Sequence, residues 1–96
     1  RGNYAEARAA FAALGTDPLA AVGIASAWRA EGEASKALDA LDAALKASPG
    51  QADLLAHRAD LFYSLGRWDD ARKDAEAALA KQDKHFLARW VRARIL

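Results

Sequence analysis

Apolar side chains return along this chain at helical spacing, and the interruptions fall at glycines. In residues 34 to 47 they stand at Ala37, Leu38, Leu41, Ala44 and Leu45, the i, i+3, i+4, i+7, i+8 order of one buried helical stripe. The pattern predicts helices over 18–30, 34–47, 52–64 and 68–81, with two more over 3–14 and 85–96. Pro18 suits a first helical turn, with Asp17 as its N-cap. Gly32 and Gly66 suit the left-handed turn that closes the helix before each, and Ser48-Pro49-Gly50 stops the helix that precedes it.

The same pattern repeats. GNYAEARAAFAAL from Gly2, GEASKALDALDAAL from Gly32 and GRWDDARKDAEAAL from Gly66 are versions of one line, and Gly32 and Gly66 stand 34 residues apart. At that period Ala25 falls over Ala59, Trp28 over Phe62, Ala37 over Ala71, Ala44 over Ala78 and Leu45 over Leu79. Counting on from Ala59 reaches Ala93, so FLARWVRARIL opens a further copy. The chain divides into the second helix of a partial copy in 2–17, whole copies in 18–51 and 52–85, and the first helix of a partial copy in 86–96. Gly2 to Gly32 spans only 30 residues, which shortens the first junction.

This period and order resemble the tetratricopeptide repeat, a 34-residue helix–turn–helix unit with set small and bulky positions. Ala21, Ile24, Ala25, Trp28, Ala37, Leu41 and Pro49 carry the resemblance in the first whole copy, and Leu55, Arg58, Ala59, Phe62, Ala71, Ala75 and Asp83 in the second. Asp83 replaces the usual proline, so that helix is expected to run on toward Lys84. The resemblance implies an all-α fold, a right-handed α-solenoid of stacked antiparallel helix hairpins.

It also implies a function, since the first helix of each copy in that family lines a concave groove for extended peptides or partner segments. Carried over, the groove takes Leu19, Val22, Gly23, Ser26, Arg29 and Ala30 from one copy. The next copy supplies Asp53, Ala56, His57, Asp60, Tyr63 and Ser64, and the partial copy Leu87, Trp90, Val91 and Arg94. Tyr63 and Trp90 are the candidate anchors, because aromatic residues dominate binding hot spots. Chaperone-binding members clamp a terminal carboxylate with Lys, Asn and Arg, and here those positions hold Val22, Ser26, His57, Leu87 and Val91. The residues argue against a carboxylate-clamp adaptor.

Composition narrows the classes further. Of 96 residues 53% are hydrophobic, with Ala dominant, and only two Pro and six Gly interrupt them, so strands have little raw material. Zero cysteines exclude disulfides and thiolate metal sites. Net charge is +1 and no apolar run reaches the roughly 18 residues of a membrane span, which points to a soluble chain with no membrane partner, in the cytoplasm with the periplasm left open. Residues 81–96 carry five basic residues against one acidic, around Trp90. A nucleic-acid site there is conceivable, yet arginines on Ala-rich solenoid helices commonly pair with the next repeat, so the reading goes against it. The chain starts at Arg1, holds no Met and stops at Leu96, which suggests a fragment of something longer whose exposed terminal faces could self-associate.

The segment LAHRADLFYSLGRWDDA, with His57, Arg58, Asp60, Arg67, Asp69 and Asp70, crowds polar residues as an active site would. His57 and Asp60 lie three apart on one face, but lack a third metal ligand and any nucleophile except Ser64, so they read as a solvated groove pair. Arg58 and Asp74 replace Ile24 and Ala40 of the preceding copy together, and the two positions face each other across a hairpin. An ion pair inside the repeat follows, because burying Arg58 alone would be costly. Arg92 should then need an acidic partner beyond residue 96. Asp69, Asp70, Arg72, Lys73 and Glu76 read as solvated pairs, and Trp68, two residues after its glycine as Tyr4 is after Gly2, reads as core. No catalytic, cofactor or metal site is visible. The function expected is a protein–protein interaction module. A structural or regulatory arm of a larger enzyme is the alternative, followed by single-stranded RNA binding, whose related repeats favour a slightly longer period.

Overall fold

The computed structural model describes residues 18–95, with side chains from residue 20 onward. Among these residues lie five helices, α1 (Pro18–Ala30), α2 (Ala34–Ala47), α3 (Ala52–Ser64), α4 (Trp68–Lys81) and α5 (Phe86–Ile95), the first four over the ranges that the apolar spacing predicts and the last starting one residue later than expected. The expected helix at 3–14 and the Asp17 cap lie outside the described residues. Two compact units are present, one ending at Ser48 and the other beginning at Pro49.

The turns inside the hairpins have one cause. Gly32 and Gly66 have φ of 81° and 79°, a left-handed conformation in which an L side chain costs roughly 1–2 kcal/mol. That conformation redirects two amides onto the end of the preceding helix. Gly32 N–H donates to the Arg29 carbonyl at 3.0 Å and Glu33 N–H to that of Trp28 at 2.9 Å. Gly66 N–H reaches the Tyr63 carbonyl at 3.1 Å and Arg67 N–H that of Phe62 at 2.9 Å. Both helices thus end in the same two-bond closure, which satisfies carbonyls that the helix leaves open.

In the first unit α1 packs on α2, burying Ala25 on one helix and Ala37, Leu41 and Leu45 on the other. In the second unit α5 packs against both α3 and α4, so three helices share a centre at Ala59, Ala71, Ala75 and Val91, all fully buried. Alanines at the crossing let the backbones approach closely, and Phe62, Tyr63, Leu87 and Ile95 close over that centre. Ala56 and Val91, both expected to line the groove, are instead fully buried.

Two further expectations are corrected. Helix α4 ends at Lys81 and does not run on to Lys84, because Gln82 leaves the helix at φ −140°, ψ 92°. A turn follows, closed by His85 N–H to the Gln82 carbonyl at 3.0 Å. Trp68 is not core: it stands 59% exposed at the first position of α4. The first copy has Ala34 at that position, so the packing there never required a bulky side chain.

Candidate partner-binding site

The expected groove residues divide between the units. Val22 is half-buried on α1, while Ser26 and Arg29 are exposed, and the Leu19 side chain lies outside the described residues. In the second unit α3 carries Asp53, His57, Asp60 and Tyr63, all half-buried, and α5 carries Leu87, half-buried, with Trp90 and Arg94 exposed.

Three of these meet. The rings of Tyr63 and Trp90 lie edge to face, with centroids 6.0 Å apart and planes at 77°, the arrangement in which the positive edge of one ring faces the negative face of the other. The guanidinium carbon of Arg94 stands 5.1 Å from the centre of the Trp90 ring, within cation–π reach. An aromatic and cationic surface therefore bridges α3 and α5.

Asp53 takes a different part. Its Oδ1 lies 2.6 Å from His85 Nε2, and the Ala88 amide donates to His85 Nδ1 at 3.4 Å. His85 directly precedes α5, and its carbonyl accepts the first bond of that helix from Arg89 N–H at 3.0 Å. The imidazole thus caps α5 through one nitrogen and ties it to the first turn of α3 through the other. With Nδ1 accepting, Nε2 carries the hydrogen and donates to the carboxylate. Sequence reasoning missed this contact, because it joins residues 32 apart at a spacing outside the repeat period.

The inferred ion pair is present. Arg58 Nε donates to Asp74 Oδ2 at 2.6 Å and Nη2 to Oδ1 at 2.9 Å, a two-pronged grip between α3 and α4 that lets Asp74 lie buried. Arg58 also stands 5.8 Å and Arg67 4.5 Å from the centre of the Phe62 ring, and Arg67 is held by Asp70 at 2.7 Å. In the first unit Lys36 lies over Trp28 at 4.7 Å, so each hairpin has a cation over the bulky residue of its first helix. Arg92, for which an acidic partner is expected beyond residue 96, is exposed on α5.

A cleft of about 190 Å³ opens between Tyr63, Trp68, Arg94 and Ile95. Trp68 is the functional candidate that sequence reasoning missed, and its alignment with Ala34 was the available signal. A second, more open depression of about 510 Å³ runs over Phe86, Arg89, Trp90, Arg92 and Ala93, where Phe86 is 80% exposed. Among the described residues no group of three His, Asp or Glu side chains is placed to hold a metal ion. No helix among them is long and apolar enough to cross a membrane.

Two family models identify the repeat unit. Residues 29–95 match a family model described as tetratricopeptide repeat, and residues 1–52 match a second model of the same description. No curated protein matches the chain. Among solved structures, the crystal structure of PcrH in complex with the chaperone binding region of PopD aligns with a TM-score of 0.72 at 20% identity, over 98% of this chain and 74% of that one.

Proposed function

Since the chain belongs to the tetratricopeptide repeat family, we propose that this protein-interaction module holds a peptide or partner segment along the first helices of its repeats. The observation that carries the reading is the Tyr63–Trp90 pair with Arg94 over it. Neighbouring helices there present aromatic area at low entropic cost, the composition from which binding hot spots are built. His57, Asp60 and Leu87 stand on the same two helices, and Val22, Ser26 and Arg29 are the residues of α1 to which the family pattern gives the same role. The fold neighbour PcrH was solved holding a segment of PopD, and a segment of comparable kind is the ligand class proposed. Val22, Ser26, His57 and Leu87 at the clamp positions, with Val91 of the same set buried in the core, favour a groove that reads side chains in place of a terminal carboxylate.

The test is selection of binding segments from a random peptide library, followed by titration against variants. Peptides selected on the native chain should bind at least about tenfold more weakly to Tyr63→Ala and to Trp90→Ala, the loss of roughly 1.4 kcal/mol or more that marks an anchor. Unchanged affinity in both variants sinks the groove.

A further inference from the structure

We infer that the cleft of Tyr63, Trp68, Arg94 and Ile95 is a selective subsite for one large apolar side chain, Phe in the first place, on a partner segment that carries a carboxylate beside it. The inference rests on the groove proposed above and adds the chemistry of what enters it.

Size argues for a single side chain. Pockets for small molecules run from about 300 to 1,000 Å³, and this cleft is about 190 Å³. The walls argue for an apolar one. Tyr63 is steadied by its edge contact with Trp90, Ile95 is half-buried beside it, and Trp68 leaves 59% of its surface to water. Exposing that much indole forgoes apolar burial, and the hairpin does not need it, since Ala34 fills the same position in the preceding copy. A partner side chain against Trp68 would recover that burial.

The charge argues for a neighbouring carboxylate. Arg94 stands over Trp90, and among the described residues no carboxylate lies within ion-pair distance of it. A guanidinium held over a ring keeps its in-plane N–H donors for a carboxylate. Helix α5 contains no acidic residue at all, and Arg89 and Arg92 share it with Arg94. The dipole of α5 accounts for a cation in its last turn, but it does not account for an exposed tryptophan and a cleft beside that cation. A nucleic acid fits less well. Its phosphates recur along the strand and would meet Asp53 and Asp60 on α3, whereas an acidic–aromatic segment places one carboxylate at one arginine.

The experiment uses heteronuclear NMR of the 96-residue chain, reading the indole N–H signals of Trp68 and Trp90, with Trp28 as internal control. The probes are short Gly/Ser peptides with an Asp-Phe-Asp, a Lys-Phe-Lys or an Asp-Ala-Asp core, and an oligouridylate. The Asp-Phe-Asp peptide should move the Trp68 and Trp90 signals and leave Trp28 in place, while the Lys-flanked and Ala-cored peptides bind at least about tenfold more weakly. Arg94→Glu should abolish the preference for acidic flanks, and Arg94→Lys should keep part of it. Trp68→Ala, whose side chain carries little of the fold, should abolish the preference for Phe over Ala. Equal binding of all peptides, a response as large at Trp28, or tighter binding of the oligouridylate would overturn the assignment. Segments that depend on Tyr63 and Trp90 but are indifferent to Trp68 and Arg94 would leave the groove standing and remove the subsite alone.

Discussion

Asp74 is buried, and its carboxylate is tolerable there only because Arg58 grips both oxygens. Breaking such a pair from one side leaves a charge without water or partner, at a cost of about 3–5 kcal/mol, whereas replacing both members by apolar residues is often neutral or stabilising. The preceding copy supplies the replacement, since Ile24 and Ala40 occupy the same two positions. Arg58→Ile alone is therefore expected to destabilise the chain by about 3 kcal/mol. The double variant Arg58→Ile/Asp74→Ala should return to within about 1 kcal/mol of the native chain, measured by urea titration with an unchanged slope. Single residues are legible in this sequence wherever two copies can be compared. The Arg58–Asp74 pair was read that way, and Trp68 against Ala34 could have been. Reading Trp68 by analogy with Tyr4, rather than by its own repeat partner, placed an exposed ring in the core.

Helices were the most legible scale, because a buried stripe and a left-handed glycine each leave a mark in the residues themselves. Alanine spacing sets which face packs, and Gly32 and Gly66 set where α1 and α3 end. The junction between α4 and α5 left no such mark. Its turn runs from Gln82 to His85, and its anchor is the bond from His85 to Asp53, a contact between two helix starts that neither periodicity nor glycine placement encodes. For the same reason Asp53 was expected in the groove alone. His85→Ala removes both the cap on Ala88 and the tie to α3, and should cost about 1–2 kcal/mol. Amide exchange of the first turn of α5 should accelerate, while the amides of α4 keep their protection. Asp53→Asn, which retains an acceptor for the imidazole N–H, should cost less than Asp53→Ala. Equal losses for the two would show that the contact contributes little.

Charge is unevenly distributed over the whole molecule. Residues 81–96 hold five of its 14 basic residues and one of its 13 acidic ones, so the remainder is net acidic although the chain as a whole is nearly neutral. The basic end holds Phe86, at 80% the most exposed large apolar side chain among the described residues, with Trp90 at 39%, around the open depression on α5. A second copy would offer a complement to this apolar centre rimmed by Arg89 and Arg92, since outside that end its acidic residues outnumber its basic ones. Sedimentation velocity from micromolar to millimolar concentration should therefore show reversible self-association that weakens with salt, because opposite charges on separate copies are screened within about 10 Å at 0.1 M ionic strength. Phe86→Ala should weaken it through the lost apolar contact at any salt concentration, and Arg89→Glu chiefly at low salt. Phe86 lies outside the Tyr63, Trp68, Arg94 and Ile95 cleft, so Phe86→Ala should leave binding of the Asp-Phe-Asp peptide unchanged. If that substitution weakens peptide binding and association together, the two surfaces are one, and α5 meets its partners through a single face.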